Sequence, residues 1–242
     1  MLTHGSLFSG AGLMDMGLEQ AGFKTIWRIE LMNGKDITKE HPSKYARPFI
    51  LSGGPPCQNV SQAAYFHRSA TGASLWPRML RFVDALRPAW VLVEQPKGGR
   101  NIIVGATQDL QQLGYGCAAR VVNSQHWVPQ RRERWYLAAR LGVDGMALWN
   151  HLYAHSNRME GGKSRCRAHG EGKSAEESSG DRRVYKPGVL FNGSCSDCLR
   201  DGVFARIAAR RVACVGAGNG VTVPVAAWLG QKIIEAEKNL VR

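Results

Sequence analysis

Short apolar runs alternate with amphipathic stretches over residues 1–140, the pattern expected of a parallel α/β sheet. Leu2 to Phe8 reads as a first strand, followed by a glycine turn and a helix from Leu13 to Ala21. Thr25 to Ile29 reads as a second strand, and Phe49 to Leu51 and Trp90 to Val93 as buried strands ending at Pro/Gly-rich or charged turns. Between the last two, Leu75, Met79, Phe82, Val83 and Leu86 recur at helical spacing, predicting one apolar helix face. Cys117–Val122 and Arg134–Arg140 are expected to close the sheet as a hairpin-like pair. Near residue 142 the composition changes, and residues 155–187 are polar and rich in Gly, Ser, Lys, Arg and Glu, as in a loop-rich insert. After Gly218 helical spacing returns, with Val225, Leu229, Ile233 and Ile234 on one stripe. The expected fold is α/β, a Rossmann-like, mostly parallel sheet with helices on both faces and a small loop-rich region. Its expected division is 1–141, 142–205 and a returning segment 206–242.

Composition narrows the classes. The chain has 242 residues with 44% hydrophobic positions, enough for one large domain and a core. No apolar run is long enough for a membrane span, and the first residues lack the pattern of a signal peptide, so a cytoplasmic protein is expected. Its six cysteines then read as free thiols rather than a disulfide framework. A formal net charge of +13 favours a polyanionic partner, because cations that neutralise phosphates release counterions.

Candidate chemistry lies at the strand ends. Ser9-Gly10-Ala11-Gly12 follows the first strand, where glycines let a ligand approach the backbone and a helix N-terminus supplies N–H donors. Glu30 ends the second strand 20 residues after Gly10, where a carboxylate accepts hydrogen bonds from ribose hydroxyls. The sixth position of a dinucleotide fingerprint is Asp15 rather than Gly, which argues against a nicotinamide enzyme. Gly53-Gly54-Pro55-Pro56-Cys57-Gln58 sets a thiol on a stiff loop at the carboxyl edge of the sheet; a lone cysteine is more often buried and inert. Glu94 closes another apolar strand, with a surface carboxylate as the ordinary alternative. In Gln130-Arg131-Arg132-Glu133-Arg134, an extended backbone puts Arg132 and Arg134 on one face, suited to phosphate or a carbonyl oxygen. Cys166, His169, Cys195 and Cys198 offer zinc-type ligands, but one CxxC pair at irregular spacing favours free thiols, and no metal is expected.

Taken in order, SLFSGAG, Glu30, GGPPCQNVS, Glu94, QRRER and GNGVTVPVAAWLG resemble the cytosine-5 DNA methyltransferase family. The resemblance implies S-adenosylmethionine as cofactor and double-stranded DNA as partner, with the target base flipped out of the helix. It implies Cys57 as covalent nucleophile, Glu94 as the acid at the base N3, and Arg132 and Arg134 at the base oxygen. Phe8, Gly10, Gly12, Glu30, Asp36, Ile37, Pro56 and Asn219 match cofactor positions, and Ser61 and Gln130 match positions near the substrate. Residues 142–205 occupy the place of the target-recognition region, and a monomer is expected, within a restriction-modification setting whose nuclease is not indicated. The related readings are an RNA cytosine-5 methyltransferase and an inactive DNA-binding relative.

Two departures carry expectations of their own. Gln95 stands where the family has Asn, so the support of the Cys57 loop is altered. Only five residues separate Glu30 from Asp36, where the family has a longer, helix-bearing span. These must form a tight turn, made feasible by Gly34, and the cofactor pocket is expected to be thinner.

Overall fold

A computed structural model describes residues 1–56, 74–128, 132–153 and 221–240. In chain order these form β1 (Thr3–Leu7), α1 (Leu13–Gln20), β2 (Lys24–Ile29), β3 (Ile50–Gly53), α2 (Trp76–Leu86), β4 (Trp90–Pro96), α3 (Arg100–Gln112), β5 (Tyr115–Asn123), β6 (Glu133–Leu141), α4 (Gly145–Leu152) and α5 (Val223–Leu240). The strands make one sheet in the order β2-β1-β3-β4-β6-β5. β2, β1, β3 and β4 pair in parallel, and β6 runs antiparallel to both β4 and β5. The fold is therefore the expected α/β, Rossmann-like sheet, with its direction of winding reversing between β1 and β3.

Successive strand residues point to opposite faces, so an unbroken apolar run must be covered on both. In β4, Trp90 and Leu92 join Met14 and Leu18 of α1, Leu148 and Leu152 of α4, and Val225, Leu229 and Ile233 of α5. Val91 and Val93 join Met79, Phe82 and Val83 of α2, and Ile103, Ala106 and Leu110 of α3, on the opposite face. Fully burying an apolar side chain of this size contributes about 1.5–3 kcal/mol, so these two layers hold the strands in register.

The helix expected from Leu75 spacing and the closing strand pair are both present, with β5 and β6 longer than their apolar cores suggested. β4 is also longer: it continues through Glu94 and Gln95, so Glu94 sits within the strand rather than past its end. Helices α3 and α4 extend the expected set. α4 lies beyond the composition change at residue 142, begins where the Asp144 carboxylate accepts from Met146 N (2.8 Å) and Ala147 N (3.0 Å), and packs on the sheet.

The last helix is tied down by charge as well as by its apolar face. Glu237 accepts from Trp90 Nε1 (2.7 Å) and from Arg140 Nε (2.7 Å) and Nη2 (2.9 Å). It lies close against α1, because a Cβ on Gly17 would stand 2.4 Å from the Ala226 Cβ. No helix among the described residues is long and apolar enough to cross a membrane.

Candidate active site

Ligands of open α/β sheets bind outside the carboxyl ends of the strands, where the winding reverses. A cavity of about 340 Å³ opens there, lined by the ends of β1, β2, β3 and β4 and by Val221 just before α5. Phe8, Gly10, Glu30, Asp36, Ile37, Pro56 and Glu94 all line it, so residues far apart in the chain meet at one site. Gly12 is not part of the lining; it is the N-cap of α1, with φ +76°. Cys57, Ser61, Gln130 and Asn219 lie outside the described residues, as do Cys166, His169, Cys195 and Cys198.

The glycine turn is shaped from within. Gly12 N donates to Ser9 O (2.7 Å), and Gly10 adopts φ +53°, a left-handed conformation that a side chain disfavours. Among the described residues, no atom beyond its chain neighbours stands within 4 Å of where a Gly10 Cβ would be. Across the cavity mouth, Gly10 N donates to Glu30 Oε2 (2.7 Å), and Met32 N donates to Glu30 Oε1 (3.2 Å). The five residues after Glu30 form the expected tight turn: a single 3-10 turn at Leu31–Asn33, then Gly34 at φ +80°.

Beneath the turn lies a buried polar network that sequence reasoning missed. Ser9 Oγ donates to Ser6 Oγ (2.9 Å), which donates to Asp15 Oδ1 (2.6 Å). Arg28 Nε pairs with Asp15 Oδ2 at 2.6 Å, tying β2 to α1. Asp15, where a dinucleotide fingerprint has its last glycine, is thus the anchor of the turn. His4 is buried between Thr25 Oγ1 (3.0 Å) and Ser52 Oγ (2.8 Å), and burial pushes its pKa down to about 4.

On the β4 side, Glu94 is only 7% exposed, and burial pushes its carboxyl up to about 7, against the pull of Arg134 and Arg132. Arg134 Nε lies 3.1 Å from Glu94 Oε1. The two atoms are nevertheless not aligned as a hydrogen bond, and neither has a hydrogen-bond partner among the described residues. We therefore read the contact as a close ion pair that leaves hydrogen-bonding capacity open. The reversed direction of β6 produces it, since an antiparallel strand brings its amino end to the carboxyl ends of its parallel neighbours. Burial lowers the pKa of Arg132, which remains within the electrostatic reach of Glu94 and Arg134.

The loop leading to Cys57 is held over this cluster. Gln95 Nε2 donates to Pro55 O (2.8 Å), and a Cβ on Gly54 would stand 3.2 Å from Glu94 Oε2. Cys117, the cysteine that falls within the described residues, is half-buried on β5, and burial pushes its thiol up to about 12, which suits a core residue rather than a nucleophile.

A model of the C-5 cytosine-specific DNA methylase family matches residues 2–145. The type II methyltransferase M.HindV of Haemophilus influenzae is 31% identical over 163 residues, covering 57% of this chain and 53% of that protein. The type II methyltransferase M.HgiGI of Herpetosiphon aurantiacus is 30% identical over 113 residues, covering 39% of this chain and 90% of that protein. Among solved structures, the S. pombe Dnmt2 methyltransferase aligns with a TM-score of 0.49 and 21% identity over 60% of this chain and 52% of that one. The chain spans about half the length of M.HindV and of the type II methyltransferase M.FnuDI of Fusobacterium nucleatum. With more than half of its residues matched by the family model, the chain belongs to the C-5 cytosine-specific DNA methylase family.

Proposed function

We propose that this chain methylates carbon 5 of cytosine in double-stranded DNA, with S-adenosylmethionine as methyl donor and Cys57 as covalent nucleophile. The observation that carries the reading is Glu94: a buried carboxyl, pushed up to about 7, lining the same cavity as the glycine turn and Glu30. Two features of that cavity fit the cofactor. Its walls include apolar Leu7, Phe8, Ile29 and Ile37 for an adenine, and the open side of Gly10 faces it with Glu30 alongside for ribose hydroxyls. Phe8, Gly10, Glu30, Asp36, Ile37, Pro56 and Asn219 would hold the cofactor, which supplies an electrophilic methyl group on a sulfonium, and Gly12 would act through the turn that carries Gly10.

Carbon 5 of cytosine is too weak a nucleophile to take that methyl group unaided, and covalent catalysis removes the difficulty. The Cys57 thiolate adds to carbon 6 of the flipped base, with Ser61 and Gln130 beside the nucleotide. Charge builds on N3, where Glu94, raised by burial to about 7 so that its protonated form is accessible near neutrality, supplies a proton. Carbon 5, then enamine-like, would take the methyl group as the donor's carbon–sulfur bond breaks to leave a thioether, and removal of the carbon 5 proton by a base would restore the ring double bond and expel the Cys57 thiolate. Arg132 and Arg134 steady the base oxygen as negative charge develops. The net charge of +13 supports a polyanionic substrate, and residues 142–205 are the candidate for reading its sequence.

The test combines labelling and trapping. Purified protein incubated with labelled cofactor should mark duplex DNA, with the label mapping to carbon 5 of cytosine. A 5-fluorocytosine duplex should trap the wild type as a denaturation-resistant adduct, and Cys57→Ser should form none while still binding DNA. Adduct formation by the Ser variant at wild-type yield removes Cys57 from the nucleophile role, and labelling of tRNA alone moves the substrate to RNA.

A further inference from the structure

The contracted segment after Glu30 forms one wall of the cavity through Leu31, Lys35, Asp36 and Ile37. Its internal hydrogen bonds give it a shape. Lys35 N donates to Glu30 O (3.2 Å), Lys39 N and Glu40 N donate to Asp36 O (2.9 and 3.1 Å), and Asp36 Oδ1 accepts from Thr38 N (2.9 Å) and Oγ1 (2.7 Å). Those bonds are all local, so they do not fix where the segment stands against the sheet. Its backbone is held from α2: Arg81 Nη2 donates to Ile37 O (3.2 Å) and to Glu40 O (2.6 Å). Hydrogen bonds from an ionised donor are shorter and stronger than neutral ones, and two from one guanidinium nitrogen to carbonyls at either end of a single turn leave the segment little freedom to slide. The side chain of Ile37, 5% exposed, is pulled into the core beside α2 by the same arrangement. Further along, Trp27 Nε1 donates to Ala46 O (2.8 Å) and Trp27 packs on Tyr45 (centroids 5.0 Å apart); Tyr45 in turn donates to Glu40 Oε2 (2.8 Å) and lies under the Lys35 ammonium (5.6 Å), so it braces the segment through side chains while Arg81 holds its backbone.

We propose that Arg81 is a positioning residue for the adenine end of the cofactor: it holds the Lys35–Glu40 backbone in place where a longer, helix-bearing connection would otherwise support itself. The proposal rests on the reading that the cavity takes S-adenosylmethionine. Arg81 does not line the cavity, so its effect passes through Asp36 and Ile37. The experiment is calorimetric titration of wild type, Arg81→Gln and Arg81→Lys with S-adenosylmethionine and with 5′-deoxy-5′-methylthioadenosine, which keeps the adenosine part and lacks the amino-acid end. Arg81→Gln should weaken both ligands by the same factor, about tenfold, the loss expected from about 1.4 kcal/mol of charge-assisted bonding. Arg81→Lys, which keeps a cation at shorter reach, should recover part of that loss. In methylation assays KM for the cofactor should rise while kcat holds. Wild-type affinity for both ligands in folded Arg81→Gln overturns the assignment, as does a loss that merely tracks the unfolded fraction by circular dichroism. If Arg81→Gln does not fold, wild-type affinity in folded Arg81→Lys overturns it. Failure of the wild type to bind either ligand at millimolar concentration overturns the cofactor reading itself, and this inference with it.

Discussion

Two clusters of buried polar groups lie on the same sheet, one under the glycine turn and one between β4 and β6. Under the turn, Ser9, Ser6, Asp15 and Arg28 form an unbroken chain of contacts, and both His4 ring nitrogens have partners. Between β4 and β6, Glu94 Oε1, Gln95 Oε1 and Arg134 Nε have no hydrogen-bond partner among the described residues. Leaving a buried polar atom in that state costs about 1–3 kcal/mol, so it persists where another demand outweighs stability. The first cluster spends its hydrogen bonds on holding a backbone shape, and the second keeps capacity for a group that arrives. Perturbed acids beside a cavity mark such places.

Glu94→Gln breaks the comparison most severely. It removes the proton proposed for N3 and should slow single-turnover methylation by about 100-fold or more, with little change in cofactor affinity. An unchanged rate would make Glu94 a structural group like Asp15. Asp15→Ala should act in the opposite sense, destabilising the fold by about 3 kcal/mol in urea titration, because Ser6 and Arg28 lose a buried acceptor. Loss of rate without loss of stability there would erase the distinction between the clusters.

Gln95→Ala frees the Pro55 carbonyl and should lower kcat about fivefold through the Cys57 loop, an effect of one charge-neutral contact of about 1 kcal/mol. Retention of full kcat would mean that the loop is positioned from elsewhere. The smallest effect is a pair of opposed slopes in stability against pH. His4 has its pKa lowered from 6.5 to about 4, so the unfolded chain binds the proton first and stability falls as pH drops through that window. Glu94 is raised from 4.5 to about 7, so the folded chain holds the extra proton; its contribution is complete below pH 4.5 and lost as pH rises through 7. Urea midpoints from pH 4 to 8 should lose the first slope in His4→Gln and the second in Glu94→Gln. Slopes identical to wild type would show that neither group titrates as its burial implies.

Much of this was legible in the sequence wherever the signal was local. The SGAG turn, the apolar stripe of α2 and the positive φ at Gly34 follow from residue type and spacing alone. α3 was not, because its buried Ile103, Ala106 and Leu110 are diluted by Gly105 and by polar residues scattered along it, among them Asn101, Thr107, Gln108 and Gln111. Asp15 could be read only as a missing glycine, since its partners Ser6 and Arg28 come to it through sheet register and helix packing. Arg81 is illegible for the same reason: its acceptors are backbone carbonyls about 40 positions away, which no side-chain pattern reveals. The meeting of Arg134 with Glu94 needed one further fact, that β6 runs against its neighbours.

The placement of α5 has a consequence for the order of assembly. Val221, at its entry, lines the cavity, Ala226 closes against Gly17 of α1, and Glu237 secures Trp90 and Arg140. The cavity that begins with the first strand of the chain is thus finished by residues made more than two hundred positions later. During synthesis the apolar face that α1 and β4 turn towards α5 stays uncovered by it until this helix emerges. A chain ending between residues 153 and 221 would keep the six described strands and lose Val221 and α5, and with them one wall of the cavity.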